Sequence, residues 1–156
     1  MSQRASLSTS AGRLWMESDG TSILRLGWWP ADAAAAPEAI AADPLLTEGL
    51  GQLRAYFDGR LKRFDLPLPP PRSERGKVLR DAIAAIPFGE TRSYGMVARL
   101  VGSGARAVGQ ACARNPLPII IPCHRVTGAG GALGAYSAGE GVRTKKILLD
   151  LENIIL

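Results

Sequence analysis

The sequence predicts an α+β protein in two lobes: a small N-terminal α/β lobe built on a β-hairpin, and a C-terminal lobe in which a helix-turn-helix precedes the reactive residues. Three observations predict it. Asp19-Gly20 separates two short apolar runs, which is a hairpin pattern. Pro67-Leu68-Pro69-Pro70-Pro71 forces an extended backbone without donors and sets a boundary at about residue 72, giving domains 1–72 and 73–156. Finally, two short helical stretches joined by Gly102-Ser103-Gly104 stand ahead of an apolar run that ends in Pro122-Cys123-His124-Arg125.

In the first lobe, Leu14-Trp15-Met16 and Ile23-Leu24-Leu26 are the hairpin arms, with Trp28-Trp29 as aromatic packing against the sheet. The alanine-rich stretch 31–42 reads as a loop or weak helix. Asp43 then caps a helix with Pro44 at its first position, and Leu50, Leu53 and Phe57 share one face until Asp58-Gly59 ends it. Alternation at Phe64, Leu66 and Leu68 predicts a further strand over 60–68.

In the second lobe, Val78, Leu79, Ala82, Ile83 and Ile86 recur at helical spacing before Pro87-Phe88-Gly89. Ser93 caps the next helix, with Val97, Leu100 and Val101 inward. The helix after the glycine turn places Ala105, Val108, Ala111 and Cys112 inward and Arg106, Gly109, Gln110 and Ala113 outward. One arginine among small side chains lets such a helix lie close to a nucleic acid backbone. Pro118-Ile119-Ile120-Ile121-Pro122 reads as a buried strand, the span 128–141 with six glycines as a binding loop, and Val142 to Glu152 as a helix burying Ile147, Leu148 and Leu151.

Composition narrows the function classes. A net charge of +5 favours an anionic partner. Two cysteines and one histidine exclude both a disulfide framework and a four-ligand N/S zinc site within one chain. No stretch approaches the roughly 18 apolar residues of a membrane span, and no apolar segment follows the N-terminal charge, so a reducing, cytoplasmic setting is expected.

The chemistry is placed at Cys123. A cysteine attacks as its thiolate and needs a neighbour to take its proton. His124 is the candidate base, directly if the backbone is irregular or otherwise through a water. Glu152 or Asp150 on the last helix is the candidate orienting carboxylate.

The run Asn115-Pro116-Leu117-Pro118-Ile119-Ile120-Ile121-Pro122-Cys123-His124-Arg125-Val126 closely resembles the active-site signature of the O6-alkylguanine-DNA alkyltransferases, the methylated-DNA-protein-cysteine methyltransferases. The likeness continues through Ile86–Gly95, Ala105–Gly109, Gly134–Ser137 and Lys146–Glu152, and more loosely through Gly12–Leu14 and Ala55–Gly59.

The resemblance implies an RNase H-like sheet in the first lobe and a winged-helix-like arrangement in the second. It also implies irreversible transfer of an alkyl group from a flipped-out guanine of duplex DNA to Cys123, without cofactor or metal, by a monomer approaching the minor groove. It makes His124 the water-linked base, Glu152 its orienting partner and Asn115 the brace of the turn. Tyr94 acts on the target phosphate and the leaving guanine, and Arg106 fills the vacated stack; Ala105, Gly109 and Gln110 complete the DNA-contacting set. Tyr136, Ser137, Val126, Pro118 and Cys112 are the pocket candidates, with core packing the preferred reading of Cys112. Two other functions fit parts of the chain: a non-catalytic, damage-sensing DNA-binding protein, and a cysteine hydrolase.

Overall fold

A computed structural model describes residues 2–30 and 43–155; the alanine-rich stretch 31–42 lies outside them. The fold is α+β, and the chain divides into two units, Met1–Pro69 and Pro70–Leu156, within the proline run.

In the first unit, β1 (Gln3–Thr9), β2 (Gly12–Ser18) and β3 (Ile23–Trp28) form an antiparallel sheet in the order β1-β2-β3. The β2–β3 turn closes because Asp19 Oδ1 accepts the amides of Thr21 and Ser22, each at 2.8 Å. The strand β1 is additional to the predicted hairpin, since Gln3–Thr9 places only Ala5 and Leu7 inward among polar residues. On the same face lie Leu14, Met16, Ile23 and Leu26.

Helix α1 (Pro44–Phe57) covers that face, capped by Asp43 as expected. Its buried side is Leu46, Gly49, Leu53 and Tyr56, one position away from the predicted Leu50/Phe57 stripe. Gly49 explains the offset: a Cβ there would lie 2.5 Å from Met16 Sδ, so the position of closest approach has no side chain for a hydrophobic pattern to register. Burying Leu46, Leu53 or Tyr56 against the sheet contributes about 1.5–3 kcal/mol each.

Residues 60–68 are not a strand. Their backbone is satisfied instead by Ile23 N–H on the Pro67 carbonyl at 2.9 Å and by Gln52, whose side-chain amide exchanges two hydrogen bonds with Asp65.

In the second unit, α2 (Glu74–Ala84) is capped by Ser73, and α3 (Tyr94–Val101) by Ser93. Gly102, at φ 64°, ends α3 and leads into α4 (Ala105–Ala113), which packs on α3 as the predicted helix-turn-helix. The inward faces are narrower than expected. Leu100 is 65% exposed, because Val97 and Ala98 are the buried residues of α3, and on α4 only Val108 is fully buried while Ala105 faces solvent. On α5 (Val142–Leu151), Thr144, Lys145, Leu148 and Leu149 are buried, and Ile147, predicted inward, is exposed. Two short parallel strands, β4 (Arg92–Ser93) and β5 (Val126–Thr127), join the start of α3 to the residues just after Cys123.

Candidate active site around Cys123

The apolar run before Cys123 is buried but forms a turn, not the predicted strand. Ile120 N–H bonds the Pro118 carbonyl and Ile121 N–H the Leu117 carbonyl, both at 2.9 Å, with Ile119 at φ 74°. A β-branched residue in the left-handed region is strained, and it persists where surroundings over-determine it. Here burial of Leu117, Ile119 and Ile121 does so, together with Asn115. The Asn115 Oδ1 accepts Leu117 N–H at 2.9 Å, and its Nδ2 donates to the Ile121 carbonyl at 2.9 Å and to Cys123 Sγ at 3.3 Å.

Cys123–Arg125 then form one 3-10 turn, all three side chains buried. This is the irregular backbone that adjacent Cys and His require to serve one site. His124 Nε2 lies 2.6 Å from Glu152 Oε2, with both side chains fully buried. Asp150, the alternative carboxylate, is exposed and pairs with Lys146 at 3.3 Å. The other imidazole nitrogen, Nδ1, is buried without a hydrogen-bond partner among the described residues.

Burial dominates the electrostatics. It pushes the Cys123 thiol up, against the Asn115 N–H, the Lys145 charge and the Tyr136 hydroxyl, which all favour the thiolate. It pushes His124 down, and the charges of Arg125 and Lys145 add to burial against the raising effect of Glu152. Both shifts favour a thiol beside a neutral imidazole.

Above Cys123 is a cavity of about 480 Å³. Ala105, Arg106, Gly109, Cys112 and Ala113 of α4 form one wall, Tyr94 and the 135–137 segment the other, and Cys123 the floor. Tyr136 lies against the thiol, and its hydroxyl is raised well above the ordinary phenol range by burial and by the cysteine. Ser137 Oγ donates to the Ala113 carbonyl at 3.4 Å, and Tyr94 Oη to the Ala135 carbonyl at 3.4 Å.

Cys112 lines this cavity instead of the core, its own thiol pushed up to about 12, chiefly by burial. Val126 and Pro118, expected as pocket residues, are buried outside the lining because β5 pairing and the Pro118–Ile121 bridge hold them. Gln110 is exposed on α4 and also outside it.

Two charged residues not assigned a role from the sequence enter the site, Arg125 of the Pro122–Arg125 run and Lys145 of α5. Lys145, fully buried, donates to the Val126 carbonyl at 2.7 Å and the Ala135 carbonyl at 3.1 Å, 5.7 Å from the Tyr94 ring centroid. Arg125 grips Glu152 with two N–H groups. Lys145 sits in the basic run Arg143-Thr144-Lys145-Lys146, which reads as solvated, and only its i+3 and i+4 spacing to Leu148 and Leu149 marks it as inward. No group of acidic, Cys or His residues able to hold a metal occurs among the described residues.

Known proteins resemble the chain over both units. A family model described as 6-O-methylguanine DNA methyltransferase, DNA binding domain, matches residues 75–154, and one described as 6-O-methylguanine DNA methyltransferase, ribonuclease-like domain, matches residues 4–70. The methylated-DNA--protein-cysteine methyltransferase of Methanosarcina acetivorans is 49% identical over 67% of this chain and 67% of its own length. The Mycobacterium leprae protein of the same name is 45% identical over 82% and 71%. The crystal structure of Mycobacterium tuberculosis OGT in complex with DNA superposes with a TM-score of 0.81 at 36% identity, covering 96% of this chain and 92% of that one.

Proposed function

The chain belongs to the 6-O-methylguanine DNA methyltransferase family, and from that membership and the geometry at Cys123 we propose that it repairs DNA by direct reversal, moving the O6-alkyl group of guanine onto Cys123 once per molecule. The observation that carries the proposal is a buried thiol at the floor of a helix-walled cavity, next in sequence to an imidazole fixed by a buried carboxylate.

In this reading α4 enters the minor groove of duplex DNA as a monomer, with Ala105, Gly109 and Gln110 near the backbone and Arg106 in the gap left by the extruded base. The damaged guanine occupies the cavity against Tyr136, with Ser137 and Tyr94 as donors to the base. Cys123 sulfur attacks the alkyl carbon in line; the S–C bond forms as the C–O6 bond breaks and its electron pair stays on the guanine, which takes a proton from Tyr94 Oη as it leaves, the tyrosine recovering one from water as the imidazolium releases its own. The thiol proton passes through a water to His124 Nδ1 while Nε2 donates to Glu152. A thioether cannot give the alkyl group back under these conditions, so each chain acts once. The work on DNA is placed in the cytoplasm; no described helix is long and apolar enough to cross a membrane.

Incubation with duplex DNA containing O6-methylguanine tests this by intact mass and peptide mapping. One methyl replacing the Cys123 thiol hydrogen, with no turnover beyond one per chain, is expected. An unmodified Cys123 in the presence of bound substrate DNA overturns the proposal, as does multiple turnover.

A further inference from the structure

Arg125 is 6% exposed and stands beside the reacting pair, yet the steps above leave it without a task. Its three nitrogens are all used: Nε donates to Glu152 Oε1 at 2.8 Å, Nη2 to Oε2 at 3.2 Å and Nη1 to the Ile86 carbonyl at 2.7 Å. Glu152 Oε1 also accepts Gly89 N–H at 3.2 Å. Both oxygens of the carboxylate are thereby occupied, and the turn after α2, the 3-10 turn of Cys123 and the end of α5 meet on it.

That arrangement addresses a difficulty. A lone carboxylate 2.6 Å from a buried imidazole would favour a proton on both ring nitrogens, since ion and counter-ion stabilise each other in low dielectric, and an imidazolium has no lone pair for a thiol proton. A guanidinium on the same carboxylate cancels its charge while leaving the hydrogen bond that fixes the ring. We propose that Arg125 is a positioning residue for the transfer reaction: it holds Glu152 as a neutralised carboxylate, so that His124 keeps its proton on Nε2 and presents a neutral, unprotonated Nδ1 towards the thiol's proton.

Three features support it. The forked contact on both carboxylate oxygens is one that a lysine, a point charge, cannot reproduce. The unpartnered buried nitrogen is Nδ1, the one the arrangement leaves as acceptor. The remaining charge facing His124, Lys145 on α5, also disfavours imidazolium, so Glu152 is the single group promoting it, while the Cys123 thiol is neutral at rest. The inference rests on the proposed reaction for its purpose but not for its test.

His124 is the only histidine in the chain, so protein labelled with 15N-histidine gives one pair of ring-nitrogen resonances. The free protein is expected to show a neutral ring protonated at Nε2 near pH 6.5, where an ordinary histidine is about half charged. In Arg125→Gln the ring is expected to charge at higher pH. Transfer from O6-methylguanine DNA should then slow by about tenfold or more on the acid side and return to within about threefold of the wild-type rate near pH 9, because a one-unit displacement is a factor of ten.

Arg125→Lys, which keeps the charge but not the fork, is expected in between, and decides the matter if the glutamine variant does not fold. A wild-type ring protonated at Nδ1 overturns the inference. So does an Arg125 variant slowed equally at every pH with an unmoved histidine titration, the result of a merely structural role. Absence of transfer by the wild-type protein would sink the proposed function and leave the tautomer and titration results standing.

Discussion

The two units bury different materials. Among the described residues of the first unit the core includes Leu14, Met16, Ile23, Leu46, Leu53 and Tyr56, and the buried polar residues, Ser18 and Asp43, satisfy turn and cap positions. Within residues 70–155 the interior holds His124, Arg125, Lys145 and Glu152. Apolar burial stabilises outright, whereas buried ion pairs repay their desolvation only with full hydrogen bonding. The first unit is therefore expected to respond to mutation in stability alone, the second in chemistry as well.

The largest effect separates the two. Cys123→Ala is expected to abolish alkyl transfer completely while circular dichroism and binding to O6-methylguanine DNA persist; loss of folding instead would mean that the thiol is a structural element like any core residue. Next, Leu53→Ala, at a fully buried position on α1, is expected to cost about 2–5 kcal/mol in denaturant unfolding, with stoichiometric transfer by whatever remains folded. A transfer defect in the folded fraction would break the division of labour.

A third effect is titration. His124 is lowered in the folded state, mainly by burial, so the unfolded chain takes up a proton that the folded one refuses. Stability is then lost as pH falls below the unfolded value of about 6.5, by up to about 1.4 kcal/mol per unit. His124→Gln should flatten that part of the pH–stability curve, whereas a substitution in the first unit should leave its slope unchanged. Smallest is Ser73→Ala, which removes the Oγ cap on Gly76 N–H at 3.0 Å and is expected to cost about 1 kcal/mol with no change in transfer rate.

The same contrast governs what could be read from the sequence. Hairpin, helix caps and the α3–α4 turn were legible because Asp19-Gly20, Asp43-Pro44, Ser93 and Gly102 each impose a local hydrogen bond or dihedral. Cys123, His124, Glu152 and Asn115 were legible through a family resemblance, and the structure brings them together. Less local facts were missed. The apolar content of 118–121 said buried but could not distinguish strand from turn, since Ile119 in a left-handed conformation contradicts its own preference. Arg125 and Lys145 carry the charge of surface residues, and only three-dimensional acceptors, Glu152, Ile86, Val126 and Ala135, make their burial affordable.

Lys145 also gives the glycine-rich segment a mechanical character. Its ammonium ties Ala135 to Val126, directly beside Tyr136, and Ser137 Oγ on the Ala113 carbonyl and Glu140 N–H on Thr144 Oγ1 fasten the segment further, with Gly130, Gly131, Gly139 and Gly141 to either side of the ring. The aromatic wall over the sulfur is therefore the anchored part of an otherwise glycine-bearing segment: the groups that fasten it come from α5 and the backbone of α4, so the ring's place is set by the same helices that frame the cavity.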